Sequence, residues 1–223
     1  MSQMFHLIRH AQASFGAADY DNLSELGHRQ SAALGAALKR QGVVPDAVFI
    51  GGQKRHRQTW EGIESALGTG LTPIVVPGWN EFDFAGLLEA RFAGRTDKPA
   101  DLHTDRKTHF RILRDTVLEW QRDEIANPPE SFAAFTSRVR EARAIVAASG
   151  AKTPLAVSSG GAIGRTVADV LDAPAEQMIL LQLQVKNCAV ARIVMAKGQE
   201  WLNGFNETPH IDGCNEKEML TYS

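Results

Sequence analysis

The sequence predicts an α/β fold: a three-layer α/β/α arrangement with a mainly parallel sheet and a helical insertion covering the site. Two observations point to it. Short apolar runs recur along the chain, each closed by glycine or by polar residues, and most lead into a stretch of helical periodicity. Strands alternating with helices in this way build parallel sheets covered on both faces. With 223 residues and 43% hydrophobic content the chain can bury one substantial core, so a single domain over 1–223 is expected.

The first apolar run, Phe5-His6-Leu7-Ile8, ends in Arg9-His10 and reads as a buried strand. A small polar loop from Ser14 to Asn22 follows. A helix then opens at Leu23-Ser24-Glu25, with Ser24 as cap, Leu26, Gln30, Ala33, Leu34, Ala37 and Leu38 on one face, and Gly42 suited to a left-handed cap. Asp46 to Ile50 is a second strand, stopped by Gly51-Gly52, and Lys54 begins a helix that ends near Gly68. Leu71 to Val76, interrupted by Pro73, reads as a strand near an edge, because proline cannot donate to a ladder. From Ala85 to Gly150 the pattern is helical, with helices expected over Arg106–Ile125 and from a Ser131 cap to Ala148. Such a block could act as a lid that excludes water. Pro154 to Ser159 is another buried strand, followed by a helix through Leu171, and two strands are expected over Val185–Met195 and Trp201–Asn206.

A formal net charge of −2 gives no global attraction for nucleic acid or for an anionic membrane. No window approaches the roughly 20 apolar residues of a membrane span. No secretory pattern precedes the first strand, so a cytoplasmic protein is expected. Cys188 and Cys214 lack C-x-x-C spacing, which argues against a thiolate metal site, and Cys188 reads as core packing. The expected partners are a small molecule and, at most, a second copy of the chain in a homodimer.

Side chains at the C-terminal ends of parallel strands face the crevice where α/β proteins bind ligands. Arg9 and His10 lie at such an end, as do Gly51 to Arg57 and Ser158 to Gly161, while Asn80-Glu81 supplies a carboxyl. A neutral imidazole is nucleophilic near pH 7, and a guanidinium can hold phosphate oxygens by paired hydrogen bonds. The pattern therefore points to phosphoryl transfer through a histidine. His28, His56, His103, His109 and His210 read as surface or packing residues, with no spacing suited to a compact metal site. Gly160-Gly161-Ala162-Ile163-Gly164 lacks the dinucleotide-binding spacing, and no glycine stands where G-x-S-x-G would need one before a serine nucleophile.

Four motifs in order resemble the histidine phosphatase superfamily, the phosphoglycerate-mutase-like enzymes. Leu7-Ile8-Arg9-His10-Ala11 is similar to that family's Arg-His-Gly strand end, and Leu23-Ser24-Glu25-Leu26-Gly27-His28-Arg29-Gln30 to its Leu-Thr-x-x-Gly-x-x-Gln helix start. Arg55-His56-Arg57-Gln58-Thr59 resembles its Arg-x-x-Gln-Thr segment, and Asn80-Glu81 its Asn-Glu segment. The resemblance implies that His10 accepts the phosphoryl group and that Arg9 and Arg55 hold it. It also implies that Glu81 protonates the leaving oxygen, with Asp83 as a rival acid, and that no cofactor or metal is needed. Gln12, Ser14, Ser159 and Gly160 complete the expected substrate-binding set.

One departure bears on rate. Where the family carries Ser-His-Gly, this chain has Ser158-Ser159-Gly160, so Ser159 stands in the place of a second histidine expected to donate to the transferring phosphoryl. A hydroxyl is shorter and cannot carry charge. Restoring histidine at 159 is expected to raise turnover if the pocket is otherwise unchanged. Ala11-Gln12-Ala13 and Phe84-Ala85-Gly86-Leu87-Leu88 also depart from the mutase pattern, which favours a phosphatase hydrolysing a small phosphomonoester. The alternatives are a phosphoglycerate-type mutase and a phosphate-binding or regulatory protein weakened by Ser159.

Overall fold

The computed structural model describes residues 2–14, 21–96 and 106–222, with side chains of the last segment described from 108 onward. Most of the expected Ser14–Asn22 loop, and His103, lie outside the described residues. The sheet has six strands: β1 (Gln3–Arg9), β2 (Ala47–Ile50), β3 (Ile74–Val75), β4 (Pro154–Ser158), β5 (Val190–Ala196) and β6 (Gln199–Glu207). Their order is β3-β2-β4-β1-β5-β6. β3, β2, β4 and β1 run parallel, whereas β5 and β6 add an antiparallel edge. β3 is short and takes the opposite edge, as Pro73 suggests.

Alternation along β1 sends side chains to two faces. Phe5 and Leu7 join one apolar cluster with Phe49 and Ala156, while Ile8 joins another with Val48, Ile50, Leu155 and Val157. The second cluster is closed by α1 (Glu25–Arg40) and α2 (Lys54–Leu67) through Leu34, Leu38, Trp60 and Ile63. The first is closed by α4 (Arg106–Gln121), α5 (Phe132–Ala148) and α6 (Gly160–Val170), following the short α3 (Phe84–Phe92). Phe135, Val139, Ala142 and Val146 of α5 lie inside this main core, so the second half of the 85–150 block is a layer of the fold. Leu88, Phe92 and Ile112 form a separate small cluster between α3 and α4.

Caps fall where local chemistry puts them. Ser24 accepts from the Gly27 amide, Ser131 from the Ala134 amide, and Gly68 ends α2 in the left-handed region at φ 70°. The strand expected from Val185 begins only at Val190. The preceding residues turn instead, with Cys188 at φ 57°, and follow α7 (Gln177–Gln182), a helix too short to show periodicity. A last helical turn, α8 (Glu216–Met219), lies near the C-terminus. Among the described residues no helix is long and apolar enough to cross a membrane.

Candidate active site

The four parallel strands end side by side, and their C-terminal junctions lie along one edge of the sheet. Arg9 is level with Ser158 across β1 and β4, and Ile50 is level with Val157 and Val75. The His10 amide donates to the Ser158 carbonyl at 2.9 Å and the Gly51 amide to the Val157 carbonyl at 3.2 Å. His10, Gly51 and Ser159 are thereby placed in a row, with Glu81 arriving from the loop after β3.

His10 is 3% exposed, and its Nδ1 lies 2.7 Å from the Ala11 carbonyl. A ring nitrogen facing a carbonyl must donate, so the hydrogen-bond network assigns the proton to Nδ1 and the lone pair to Nε2. Burial is the main reason the imidazole is held well below its ordinary pKa, and the positive charges of Arg55 and Arg9 add to it. Its carbonyl accepts from Asn187 Nδ2 at 3.2 Å. Nε2 is thus uncharged, and the residue is oriented at both ends.

Much of the motif set holds this loop in place. Thr59 Oγ1 accepts from the Ala11 amide at 3.0 Å, and Gln30 Oε1 accepts from the Gln12 amide at 2.9 Å. The other end of the Gln30 side chain donates to the Met219 carbonyl. A Cβ at Gly27 would stand 2.2 Å from the Gln12 carbonyl oxygen, which explains glycine at that helix position. Gln58 Oε1 accepts from the Leu23 amide at 2.8 Å. Gln12 itself accepts from Ser24 Oγ at 2.7 Å, so its side chain serves the start of α1, and the Ser14 amide donates to the Asn22 carbonyl.

Arg9 Nη1 donates to the Val185 carbonyl and, at 3.3 Å, to that of Tyr222. Its Nε passes 3.9 Å from where a Cβ at Gly160 would be. Arg55, buried, pairs with Asp21 at 2.6 Å, and the same carboxylate accepts from the Lys54 amide at the head of α2. The two guanidinium groups come from elements far apart in sequence, yet both bear on His10 and on Glu81. Arg57, by contrast, is exposed.

Glu81 Oε2 accepts from the Gly161 amide at 2.9 Å, and its own amide donates to Gln53 Oε1 at 3.1 Å. A Cβ at Gly161 would lie 2.2 Å from Glu81 Oε1, so glycine there lets the carboxyl reach the start of α6. Burial raises the Glu81 pKa, outweighing the Gly161 amide and the charge of Arg55. Arg138 of α5 holds the loop by donating to the Asn80 carbonyl at 2.7 Å. Asp83 is exposed and accepts from the Gly86 amide as the cap of α3, a structural duty.

The fold narrows the reading of His56. His56 does not sit at the surface or in an apolar core: it is fully buried in the site, its ring centroid 5.8 Å from that of His10 and its Nε2 2.8 Å from Ser159 Oγ. Its position one residue after Arg55, on the first turn of a helix pointing at the crevice, was the available signal. The pocket around Ser159 is therefore not otherwise unchanged. His28 is exposed, and Cys188 is buried as expected. Among the described residues no three His, Cys, Asp or Glu side chains are grouped to hold a metal ion.

Buried histidines also set an acid limit on stability. His10, His56 and His210 are all held neutral by burial, His210 at a pKa of about 4. Between that value and the ordinary 6.5, the unfolded chain binds the proton and the folded chain does not, so stability falls as pH falls. For His210 the loss at pH 4 is about 3 kcal/mol. The raised Glu81 and Glu200 act in the opposite sense, so the test compares urea midpoints of wild type and His210→Phe from pH 7 to pH 4. The variant should show the shallower decline; parallel declines would remove His210 from the account.

Residues 5–208 match the family model of the histidine phosphatase superfamily, branch 1. A search of curated proteins returns no match. Among solved structures, the α-ribazole phosphatase of Shigella flexneri superposes with a TM-score of 0.69 at 22% identity, covering 92% of this chain and 97% of that one. A mycobacterial glucosyl-3-phosphoglycerate phosphatase, in complex with inorganic phosphate, gives 0.67 at 17% identity, covering 94% and 100%. A phosphoglycerate mutase from Bacillus anthracis gives 0.65 at 17%, covering 94% and 95%. These likenesses extend over nearly the whole chain.

Proposed function

The chain belongs to the histidine phosphatase superfamily, branch 1, and from that membership we propose that it is a phosphomonoesterase working through a phosphohistidine on His10. The observation that carries the reading is the His10 ring: buried and neutral, with Nδ1 committed to the Ala11 carbonyl, it presents Nε2 beside two guanidinium groups and a carboxyl whose pKa burial has raised.

In the first step Nε2 attacks phosphorus, the bond to the leaving oxygen breaks, and Glu81 gives that oxygen its proton. In the second, Glu81 as carboxylate takes a proton from water, whose oxygen attacks phosphorus and releases phosphate and free His10. Arg9 and Arg55 offset charge on the equatorial oxygens, the main demand of a phosphoryl-transfer transition state. The substrate we propose is a small phosphomonoester.

Convergence of the two arginines is tested by binding of inorganic phosphate. Calorimetry should show Arg9→Met and Arg55→Met each weakening phosphate by about 10-fold or more, in keeping with the worth of a charge-assisted hydrogen bond. Binding unchanged in either variant would detach that arginine from the anion site. Hydrolysis of an aryl phosphate should survive a chelator.

A further inference from the structure

We propose that His56 is a positioning residue that aims the Ser159 hydroxyl at the transferring phosphoryl, so that the pair His56–Ser159 stands in for the second histidine of the family pattern. The inference rests on the phosphatase reading of the site and adds to it a specific two-link donor chain. His56 Nε2 lies 2.8 Å from Ser159 Oγ. Gln53 Oε1, a carboxamide oxygen that can only accept, stands 3.5 Å from the same Oγ, the limit of a hydrogen bond, so the hydroxyl has a donor direction away from the ring. With its own proton turned away from the ring, Oγ accepts from Nε2–H and keeps its O–H for an incoming anion. No proton is transferred along the chain; each link only orients the next.

Three features show that an imidazole is accommodated here by design of the local backbone. His56 is 0% exposed, a costly place for a ring that only fills space, since an apolar side chain would fill it without loss of hydration. Gly51 makes room for it: a Cβ there would lie 2.3 Å from His56 Nδ1 and 2.7 Å from Asn80 Oδ1. Nδ1 lies against the Gly51 backbone carbonyl without a hydrogen bond of acceptable geometry, so the one well-formed hydrogen bond of the ring among the described residues is to Ser159, which heads α6 without using its side chain as a cap. Burial and the neighbouring Arg55 hold the ring neutral, with a single N–H to give.

The pair also changes what histidine at 159 should do. A ring there would project into the space of His56, whose Nε2 is already in contact with the Oγ. Ser159→His alone is therefore expected to lower turnover, whereas His56→Ala combined with Ser159→His vacates the space and places an imidazole where the family carries one.

The test is a mutant cycle read as kcat and KM on an aryl phosphate. His56→Met should lower kcat by about 10- to 100-fold with little change in KM, the signature of a donor used in the transition state. His56→Gln, which keeps an N–H, should recover most of that loss. In a Ser159→Ala background His56→Met should cost little more, because its partner is gone. The double swap should exceed Ser159→His alone by about 10-fold or more. Additive losses, equal rates for the Gln and Met variants, or a swap no better than Ser159→His would overturn the proposal. Nitrogen-15 NMR of the histidine rings gives a reading that needs no turnover: His56 should be the Nε2–H tautomer. The Nδ1–H tautomer would overturn the pairing, and a protein inert toward phosphomonoesters but showing Nε2–H would instead count against the phosphatase reading alone.

Discussion

Replacing His10 by alanine is expected to lower hydrolysis of an aryl phosphate by about 10³-fold or more while leaving the fold intact. The effect should be this large because no other group can take over. Ser159 faces His56, Cys188 is buried in an apolar cluster with its thiol pKa pushed upward, and Arg9 and Arg55 are cationic. Of the two neutral imidazoles in the site, His56 has its Nε2 engaged with Ser159, whereas His10 commits Nδ1 to the Ala11 carbonyl and keeps the Nε2 lone pair, and its depressed pKa keeps it available on the acid side of 6.5. The loop around it is held by backbone amides and by Thr59 and Gln30, none of which depends on the ring, so the variant should fold. Wild-type enzyme quenched during turnover should carry acid-labile phosphate on His10 by mass spectrometry. Phosphate on another residue, or full activity in His10→Ala, would refute the mechanism.

Glu81→Gln should give the second largest loss, about 10²- to 10⁴-fold in kcat for a substrate with a poor leaving group, as expected when a general acid is removed. The amide keeps the size of the side chain and cannot supply a proton. An aryl phosphate whose leaving group needs no protonation should be affected far less, and that dependence separates an acid from a merely structural carboxyl. With its pKa raised by burial, Glu81 keeps its proton to higher pH than an ordinary glutamate, so activity should decline as pH rises through its titration, and the decline should vanish in the variant. Gly161→Ala should resemble Glu81→Gln, since a Cβ would displace the carboxyl. Asp83→Asn should leave the chemistry alone, costing at most about 1 kcal/mol through a weaker cap of α3. An equal loss in Glu81→Gln for good and poor leaving groups, or a larger one in Asp83→Asn, would reassign the acid.

What the sequence by itself determined is what local chemistry decides. Apolar runs closed by Arg9-His10, Gly51-Gly52 and Ser158-Ser159 identify buried strands and the ends that carry function, because side-chain periodicity and glycine punctuation are properties of short segments. Ser24, Ser131 and Gly68 mark helix ends for the same reason. Asp83 and Glu81 could not be separated that way: both are carboxyls near the end of one strand. Only the fold buries Glu81 against Gly161 and leaves Asp83 in solvent as a cap. His56 is the clearest case of the second kind. Its neighbours in sequence are cations on a helix turn, a pattern common on surfaces, whereas its partner Ser159 lies over 100 residues away at the end of another strand. The contact exists because β2 and β4 are neighbours in the sheet and their ends are level, and because Gly51 leaves the space that the ring fills. Burial and charge at that point come from several elements at once, so the pKa of His10, the raised carboxyl of Glu81 and the pairing of His56 with Ser159 are set by strand order, which no single segment encodes.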